Sequence, residues 1–451
     1  MTHAQKASEF IKDQLRTKWH DETLWMVRSK RDRAVEQVKE WEQLRQLASD
    51  IKDHTLSRLD HYLTEFETRA LENGIKVSWA KDATEHNQLV YEILRKRKIN
   101  RVVKSKSILT EECHLNPFLE SRGIEVVDTD LGERIVQFAK QPPSHIVLPA
   151  IHLKKKEIST IFQQELGTEP GNEDPEYLTR AARKHLREKF LNADAALTGV
   201  NFGIAETGGF VICTNEGNAD MGVHLAPVHI ASMGIEKLIP QAEHLGVFIR
   251  LLARSGTGQS ITTYTSHFHA PGKGQEIHLI LVDNGRTTQL GREKFRSSLK
   301  CIRCGACMNT CPIYRRSGGY SYQATVPGPI GSILSPGVDL EKYSSLPFAS
   351  TLCGSCTDVC PVRINIHEQL YQWRQEIVRA GKASWSEIIL MRITGQILRR
   401  PVVYKIVSQL VRLIPSGLIE FFAGRWMRQR EIPVLPPSTF KEWFRKNRSS
   451  Q

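Results

Sequence analysis

Long apolar runs are missing from this chain of 451 residues, although 40% of its residues are hydrophobic. No stretch reaches the roughly 18 uncharged apolar residues that a membrane-spanning helix needs, so we expect no transmembrane segment. The first residues, Met-Thr-His-Ala-Gln-Lys, are polar and lead directly into an amphipathic pattern. They lack the apolar core of a signal peptide, and we therefore expect none.

Cysteine is scarce outside two short stretches of the chain. Of the nine cysteines, only Cys113 and Cys213 lie elsewhere, and neither has an obvious disulfide mate. The other seven are close together in sequence, as metal-binding thiols are, and such thiols must stay reduced until they bind. Both observations favour a reducing cytoplasm over an oxidising compartment.

The sequence also lacks the patterns of nucleic-acid-binding proteins. We find no helix-turn-helix, RNA-binding aromatic motif or zinc finger, although the formal net charge is +13. An acidic partner or peripheral contact with an anionic membrane surface explains this charge better than nucleic acid does. Solvated basic helix faces account for most of the basic residues equally well.

The first group of cysteines has a regular spacing. Cys301, Cys304, Cys307 and Cys311 follow the pattern C-x2-C-x2-C-x3-C, and Pro312 comes next. This is the bacterial ferredoxin spacing for a 4Fe–4S cluster. Three thiolates two residues apart can each reach a different iron. The fourth lies too far along the chain and turns to a second cluster.

A second run repeats the pattern and ends in Cys360-Pro361. The two runs are therefore expected to exchange their last ligands, which makes the protein a carrier of two iron–sulfur clusters. The cluster 1 cysteines are Cys301, Cys304, Cys307 and Cys360, and the cluster 2 cysteines are Cys311, Cys353 and Cys356.

Cluster 2 lacks one thiolate, because Ser350 stands where the second run should begin. The Ser350 oxygen could bind iron, water or a side chain of another protein could complete a 4Fe–4S cluster, or the site could hold a 3Fe–4S cluster. Zinc is the alternative metal for both runs. Zinc sites usually pair two C-x2-C units or mix cysteine with histidine, so this spacing favours iron–sulfur.

Composition and periodicity divide the chain into four regions. Residues 1–73 have apolar residues at helical spacing. Residues 74–290 alternate strands and helices, which indicates an α/β domain with a largely parallel sheet. Residues 291–380 form a mainly helical, two-cluster ferredoxin-like domain, with a glycine- and proline-rich excursion between the cysteine runs. Residues 381–451 contain apolar helices edged with basic residues and an extended, proline-rich tail.

The strands of the α/β domain are predicted from short apolar runs bounded by turn residues. Two of them flank residues 206–209, and the second of these ends at Cys213. The others are expected at residues 75–79, 101–103, 124–127, 145–148, 235–240, 261–266 and 277–282.

Two loops of this domain carry candidate ligand-binding residues. Residues 104–107, Lys-Ser-Lys-Ser, follow a strand and could face an anion, although an exposed basic turn is the simpler interpretation. Thr207, Gly208 and Gly209 form a turn in which glycine amides can approach a ligand closely. Glu206 would be a nucleophile or general base if it were buried there, and a solvated glutamate in a tight hairpin is the alternative.

These features together resemble a known family. The segments Ala205-Glu-Thr-Gly-Gly and Asn215-Glu-Gly-Asn, followed by the two cysteine runs, are similar to the lactate utilization protein B family. Residues 143–152, 327–331 and 435–440 also match, so the likeness covers nearly the whole chain. This family supplies the iron–sulfur subunit of a cytoplasmic system that oxidises L-lactate to pyruvate, and its second cysteine run likewise lacks the first thiolate.

The resemblance implies electron transport and a sheet domain related to sugar-phosphate isomerases and CoA transferases. The implied partners are other subunits of the lactate-oxidising system and an unidentified electron acceptor. An alternative makes the α/β domain itself the catalyst, acting on lactate or on a phosphate- or CoA-bearing ligand near Glu206. A third possibility is a scaffold whose clusters only stabilise the fold.

Overall fold

The computed structural model describes residues 2–412, 414 and 436–448. The chain divides into two compact units, Met1–Ile377 and Val378–Gln451. The first unit contains the N-terminal helices, the α/β sheet and both cysteine runs. The second contains the C-terminal helices.

Helices fill the N-terminal region, as the sequence predicted. The first begins with a capping box, in which Thr2 and Gln5 bond to each other's backbone amides. Leu24, Trp41 and Ile51 from these helices share one apolar core with four of the cluster cysteines. The helices are α1 (His3–Ile11), α2 (Gln14–Glu36), α3 (Trp41–Ser57) and α4 (Leu59–Glu72).

The main sheet has six strands, all parallel, in the order β1-β10-β7-β4-β2-β3. This confirms the predicted α/β class. The strands of the whole protein are β1 (Lys76–Ala80), β2 (Arg101–Lys104), β3 (Glu125–Asp128), β4 (Ala195–Gly199), β5 (Phe202–Ile204), β6 (Gly209–Thr214), β7 (Val228–Gly234), β8 (Leu238–Ile239), β9 (Tyr264–Phe268) and β10 (Glu276–Val282).

Helices connect and cover these strands. Asp82 and Ser107 each cap a helix by accepting from a backbone amide three residues on. The helices are α5 (Ala83–Lys96), α6 (Ile108–Glu112), α7 (Leu115–Glu120), α8 (Leu131–Phe138), α9 (Lys155–Leu166), α10 (Pro175–Leu191), α11 (Asn218–Leu225), α12 (Leu245–Thr257) and α13 (Arg286–Gly291).

A second sheet, in the order β8-β5-β6-β9, was not predicted. The expected single strand before Glu206 is split: β4 belongs to the parallel sheet, whereas β5 pairs with β6 in an antiparallel hairpin. Asn201 lies between them and accepts a hydrogen bond from the Cys213 amide (2.9 Å). The chain therefore leaves one sheet and enters the other within two residues, a change of partner that periodicity does not reveal.

The sequence prediction also missed the central strand β7. Every residue of β7 is buried, yet His229 and Ser232 interrupt its apolar pattern. Both polar side chains have partners: His229 Nε2 pairs with Thr198 Oγ1 (2.7 Å) and Ser232 Oγ with His86 Nε2 (2.8 Å). The strand predicted at residues 235–240 is largely a 3-10 turn, with only two residues in β8.

The strand predicted at residues 145–148 is wrong, because this segment is a series of bends. Nδ1 of the buried His145 accepts from the amides of Val147 (3.0 Å) and Leu148 (3.1 Å). These local bonds use the donors that a sheet would need. The segment instead packs against the first cysteine run, where Nε2 of His145 pairs with Asn309 (3.0 Å).

The cysteine-rich region is mainly helical, which confirms its predicted class. The excursion between the two runs is not a loop throughout, because residues 327–331 begin the helix α16. Short 3-10 helices lie at Arg296–Lys300, Gly319–Tyr322 and Leu346–Phe348. The α-helices are α14 (Ala306–Thr310), α15 (Pro312–Ser317), α16 (Gly328–Val338), α17 (Leu340–Tyr343), α18 (Ser355–Asp358) and α19 (Ile366–Arg379).

The second unit contains α20 (Trp385–Arg399), α21 (Pro401–Arg412) and α22 (Phe440–Arg448). The end of the predicted extended tail is thus helical, because Thr439 and Glu442 form a reciprocal capping pair. Residues 433–435 of the tail and the apolar stretch after Ile414 lie outside the described residues. Across residues 2–412, 414 and 436–448, no helix is long and apolar enough to cross a membrane.

Candidate metal centre

The four cluster 1 cysteines line one small cavity. Cys301 and Cys304 come from the loop before α14, Cys307 lies in the first turn of α14, and Cys360 comes from the turn after α18. Apolar side chains, among them Ile146, Ile330 and Ile364, form the rest of the wall. The structure thus brings the first three thiols of one run together with the last thiol of the other.

Backbone geometry turns this loop around the cavity. Arg303 and Gly305 have positive φ angles of 60° and 80°, which reverse the chain direction on either side of Cys304. The amide of Arg303 donates to Cys301 Sγ (3.4 Å), and the amide of Ile364 donates to Cys360 Sγ (3.4 Å). Amide donors of this kind stabilise sulfur that carries negative charge, and they help to set the potentials of iron–sulfur clusters.

The three cluster 2 cysteines also lie near one another. Burial, and then the neighbouring Cys311 and Cys353, raise the pKa of the Cys356 thiol to about 12. Cys311 is buried at the start of α15, where its Sγ accepts from the amide of Tyr314 (3.5 Å). Cys353, by contrast, is exposed. Cluster 2 would therefore have one thiolate at the protein surface.

The donor sets fit iron–sulfur clusters. Buried thiols with raised pKa values become thiolates only when a metal centre compensates their charge. The four thiols that line one cavity come from both cysteine runs, which matches the crossed ligand set of a 4Fe–4S cluster.

Ser350 lies two residues before Leu352, as Cys301 lies two residues before Arg303. The Leu352 amide donates to Ser350 Oγ (3.1 Å), which repeats the bond from Arg303 to Cys301. Leu352 also has a positive φ of 55°, close to that of Arg303. The two cysteine runs thus share a local conformation, and the Ser350 hydroxyl has the local position of a ligand.

Two of the three arginines beside the cluster cysteines form ion pairs with carboxylates of the protein. Arg303 donates to Glu112 (3.1 Å), and Arg315 pairs with Asp21 (2.9 Å) and lies over the ring of Trp25 (4.5 Å). Arg316 is exposed. Two of the three basic groups are therefore held inside the structure, and only Arg316 is presented to solvent.

A cavity of about 310 Å³ opens on the other side of Cys304. It lies at the carboxyl ends of β2, β4 and β7, where parallel sheets usually bind ligands. Its lining includes Lys106 and Ser107 after β2, Gly199 at the end of β4, and Gly234 at the end of β7. The sheet domain and the cluster 1 loop share this cavity.

Most charges in the cavity wall are already paired. Arg286 bonds to Glu236 (2.5 Å) and Glu112 (2.8 Å). Lys106 donates to the Val147 carbonyl (2.8 Å) and lies 3.4 Å from Asp130. Arg286 holds the pKa of Glu236 at about 2, although burial alone would raise it. The wall is rigidly organised around these ion pairs.

Two charged residues of the cavity differ from the others. Lys237 is half-buried in the cavity wall, where the charges of Glu236 and Cys301 act on it, but none of the ion pairs and hydrogen bonds found among the described residues includes its ammonium. Glu216 lines the cavity, where partial burial of its carboxyl and then the charge of Asp130 raise its pKa to about 7. The sequence pattern gave no signal for Lys237, while Glu216 stood in the Asn-Glu-Gly-Asn segment without an assigned role.

The predicted hairpin residues lie elsewhere. Glu206 is exposed, and its Oε2 accepts from the Ala242 amide (3.0 Å). A Cβ on Gly208 would collide with the backbone of α4 at Ala70, and one on Gly209 would collide with His269. The close approach at these glycines is thus to other parts of the protein. Neither these residues nor Thr207 line the cavity.

The loop at residues 104–107 is neither wholly exposed nor wholly anion-facing. Lys104 is fully buried, and its ammonium lies 2.9 Å from Glu111, 2.9 Å from Asp128 and 3.8 Å from Glu133. These carboxylates raise the pKa of Lys104 against the effect of burial. Both predictions for Lys104 are therefore wrong, whereas Lys106 and Ser107 do line the cavity.

Comparisons with known proteins find matches to two domain families and to a solved structure. The LUD domain family matches residues 63–288, and the 4Fe-4S dicluster domain family matches residues 297–364. A crystal structure of a DUF162 family protein from Deinococcus radiodurans is 15% identical with a TM-score of 0.28, and the match covers 50% of this chain and 98% of that one.

Full-length relatives identify the family. Lactate utilization protein B of Bacillus cytotoxicus is 40% identical over 435 residues, which are 92% of this chain and 91% of that protein. The Geobacillus protein of the same name is 41% identical, covering 93% of this chain and 92% of its own length. With two domain matches in the same order and alignment across both, the chain belongs to the lactate utilization protein B family.

Proposed function

We propose that this protein is an iron–sulfur electron carrier in the oxidation of L-lactate to pyruvate. The observation that carries the proposal is the closeness of the two thiol sites. Cys307 of the cluster 1 set and Cys311 of the cluster 2 set are four residues apart, joined by the short helix that ends at Thr310. Both are buried in one apolar core together with Cys356 and Cys360. Two redox centres this close exchange electrons readily.

The short helix α14 explains the closeness. It begins just before Cys307 and ends at Thr310, so it carries the chain from one thiol site to the other within a single turn and a half. Arg28 donates to the Thr310 hydroxyl, which also bonds to Ser355 (2.5 Å) beside Cys356. The two cysteine runs are thereby fixed against each other and against α2.

Two centres match the electron count of the reaction. Oxidation of a 2-hydroxy acid to a 2-oxo acid releases two electrons and two protons, and two bound 4Fe–4S clusters would each carry one of those electrons. The residues of this chain hold, shield and orient the clusters. The apolar wall around the cluster 1 cysteines keeps water away from that site, and the amide donors stabilise its sulfurs.

We assign the fourth position of cluster 2 to the Ser350 hydroxyl. Its equivalence to Cys301 supports an oxygen ligand over water, a side chain of another protein or a 3Fe–4S cluster. The Ser350 backbone is also anchored, because Arg374 donates to its carbonyl (2.7 Å). Residues 291–380 then form the two-cluster domain, with both clusters of the 4Fe–4S type.

The exposure of Cys353 gives the electron path a direction. Cluster 1 is enclosed and borders the cavity, whereas cluster 2 has a thiolate at the surface. Electrons would enter from the cavity side and leave past Cys353 to an acceptor protein. The expected setting is the cytoplasm, with other subunits of the lactate-oxidising system as partners.

A growth experiment in the source organism tests this function. The gene is deleted and replaced by the wild type, by Cys304→Ala, or by the control Cys113→Ala outside the cluster sets. We expect growth on L-lactate with the wild type and the control but not with Cys304→Ala, and equal growth of all strains on pyruvate. Normal growth of the Cys304→Ala strain on L-lactate would refute the proposal.

A further inference from the structure

The cavity between the sheet and Cys304 has the properties of a binding site rather than a packing defect. Its volume of about 310 Å³ lies at the lower end of small-molecule pockets. It combines apolar side chains, such as Ile108, Val200 and Leu252, with charged and amide groups. Asn218 is buried in its lining, and its Oδ1 atom has no hydrogen-bond partner among the described residues.

The unpaired groups indicate what the cavity would bind. Four cations and four carboxylates line it, and the ion pairs already described use three of each. Lys237 and Glu216 remain. A lone ammonium favours a carboxylate ligand, because the pair satisfies both charges in a partly desolvated site. A glutamate that accepts or donates a hydrogen bond suits a hydroxyl or keto oxygen.

We propose that this cavity binds a small hydroxy- or keto-carboxylate, with its carboxylate on Lys237 and its oxygen function on Glu216. The site rests on the geometry of the cavity, and only the choice of L-lactate and pyruvate as ligands rests on the proposed function. Cys304 is part of the lining, so the bound acid lies next to a cluster 1 ligand. Glu206, exposed on the hairpin, has no part in this site.

The rigid wall explains why Lys237 is available. Glu236 precedes it in the chain and is held by Arg286, while the Lys52 ammonium donates to the Glu236 carbonyl and to the Leu238 carbonyl (3.2 Å). The backbone on both sides of Lys237 is therefore fixed, while its ammonium takes part in none of the ion pairs and hydrogen bonds of the described residues. Arg286 is neutralised by two carboxylates and does not compete for the ligand.

Calorimetric titration of the anaerobically purified, cluster-loaded protein tests the site. L-Lactate and pyruvate are the ligands, lactamide lacks the carboxylate, and propionate lacks the second oxygen. We expect both acids to bind, and lactamide to bind about 10- to 100-fold more weakly, as loss of a charged hydrogen bond predicts. Binding of lactamide as tight as that of lactate would overturn the proposal.

Variants of Lys237 and Glu216 test whether the ligand binds in this cavity. Lys237→Met should weaken lactate binding about 10- to 100-fold, whereas the exposed Lys155→Met should leave it unchanged. Glu216→Gln should weaken lactate more than propionate. Iron content shows whether Lys237→Met still assembles its clusters, and Lys237→Arg, which keeps the charge, should keep most of the binding. Unchanged affinity in Lys237→Met, or tighter binding of orthophosphate than of lactate, would refute the assignment.

A spectroscopic readout separates this inference from the proposed function. Lactate next to Cys304 should alter the EPR spectrum of reduced cluster 1 and leave that of cluster 2 unchanged. Lactate binding to a protein with redox-silent clusters would refute electron transfer but keep the site. Redox-active clusters with no binding of any acid at millimolar concentration would refute the site but keep electron transfer.

Discussion

The hydroxyl of Ser350 takes the place in the second cysteine run that the thiol of Cys301 takes in the first. Each accepts a hydrogen bond from the amide two residues later, at 3.1 Å and 3.4 Å. In each run the residue that donates this bond has a left-handed backbone conformation. The second run therefore repeats the loop conformation of the first, with a serine oxygen where the first run has a cysteine sulfur.

Two variants of Ser350 test whether its oxygen binds iron. We expect Ser350→Ala to lower the iron content from about eight to about seven per chain and to give the oxidised-state EPR signal of a 3Fe–4S cluster. Ser350→Cys should keep about eight irons and change only the cluster 2 signal. The loop conformation should survive both changes, because the backbone is held by Arg374. A full complement of iron in Ser350→Ala would show that serine is not a ligand.

Because the two runs exchange their last ligands, replacing the last cysteine of one run should remove the cluster that the other run mainly binds. Cys360 lies in the second run, but Cys360→Ala should abolish the cluster 1 signal. Cys311 lies in the first run, but Cys311→Ala should abolish the cluster 2 signal. The reason is that Cys360 lines the cavity of the first three thiols. EPR of the two reduced variants makes the comparison. Loss of cluster 2 in Cys360→Ala would mean that each run binds its own cluster.

Glu206 is expected to be dispensable for the chemistry. Its side chain is exposed and engaged with the Ala242 amide, away from the cavity. We expect Glu206→Gln to support wild-type growth on L-lactate and to bind lactate normally. Gly208→Ala is the structural contrast, because the added Cβ would strike α4 and should lower the melting temperature. Loss of lactate turnover in Glu206→Gln with both clusters intact would revive a catalytic role for the hairpin.

Lys104 is expected to be essential for stability. Removing its charge in Lys104→Met leaves Asp128 and Glu133 buried without a counter-ion, which costs about 3–5 kcal/mol. Burial already raises the pKa values of both carboxyls, so they bind protons in the folded state more readily than in the unfolded state. The loss should therefore grow as pH rises.

Anaerobic thermal denaturation of Lys104→Met at pH 6 and pH 8 checks this expectation, with Lys155→Met as the exposed control. The melting temperature should fall in Lys104→Met and fall further at pH 8. A melting temperature equal to that of the control at both pH values would show that the buried ion cluster is not stabilising.

Much of the sheet domain could be predicted from sequence, because strands such as β2, β3 and β10 are short apolar runs between turn residues. The prediction failed where polar residues are satisfied inside the fold. His229 and Ser232 hide β7, and the ring of His145 replaces a predicted strand by local hydrogen bonds. The hydrogen-bond partners of these residues come from distant parts of the chain or depend on side-chain geometry. Neither produces a periodic pattern in the sequence.

The metal site could be predicted from the sequence, whereas the cavity could not. The cysteine spacing is local, so the ligand sets could be proposed from the sequence alone. The cavity is built from the ends of three strands, the loop around Glu216 and the cluster 1 loop, which only the fold brings together. Lys237 lies shortly after the end of β7, and no sequence motif surrounds it. Its importance depends on the lack of a partner for its ammonium in the part of the chain that the structure describes, a property that a sequence does not display.

The most direct test of the central claim is EPR of the anaerobically purified protein, as isolated and after reduction by dithionite, together with iron and acid-labile sulfide analysis. We predict about eight irons per chain, no signal as isolated, and two interacting S = 1/2 signals after reduction, since the two sites are adjacent. Zinc in place of iron, or clusters that stay silent under reduction, would contradict electron transfer through this protein.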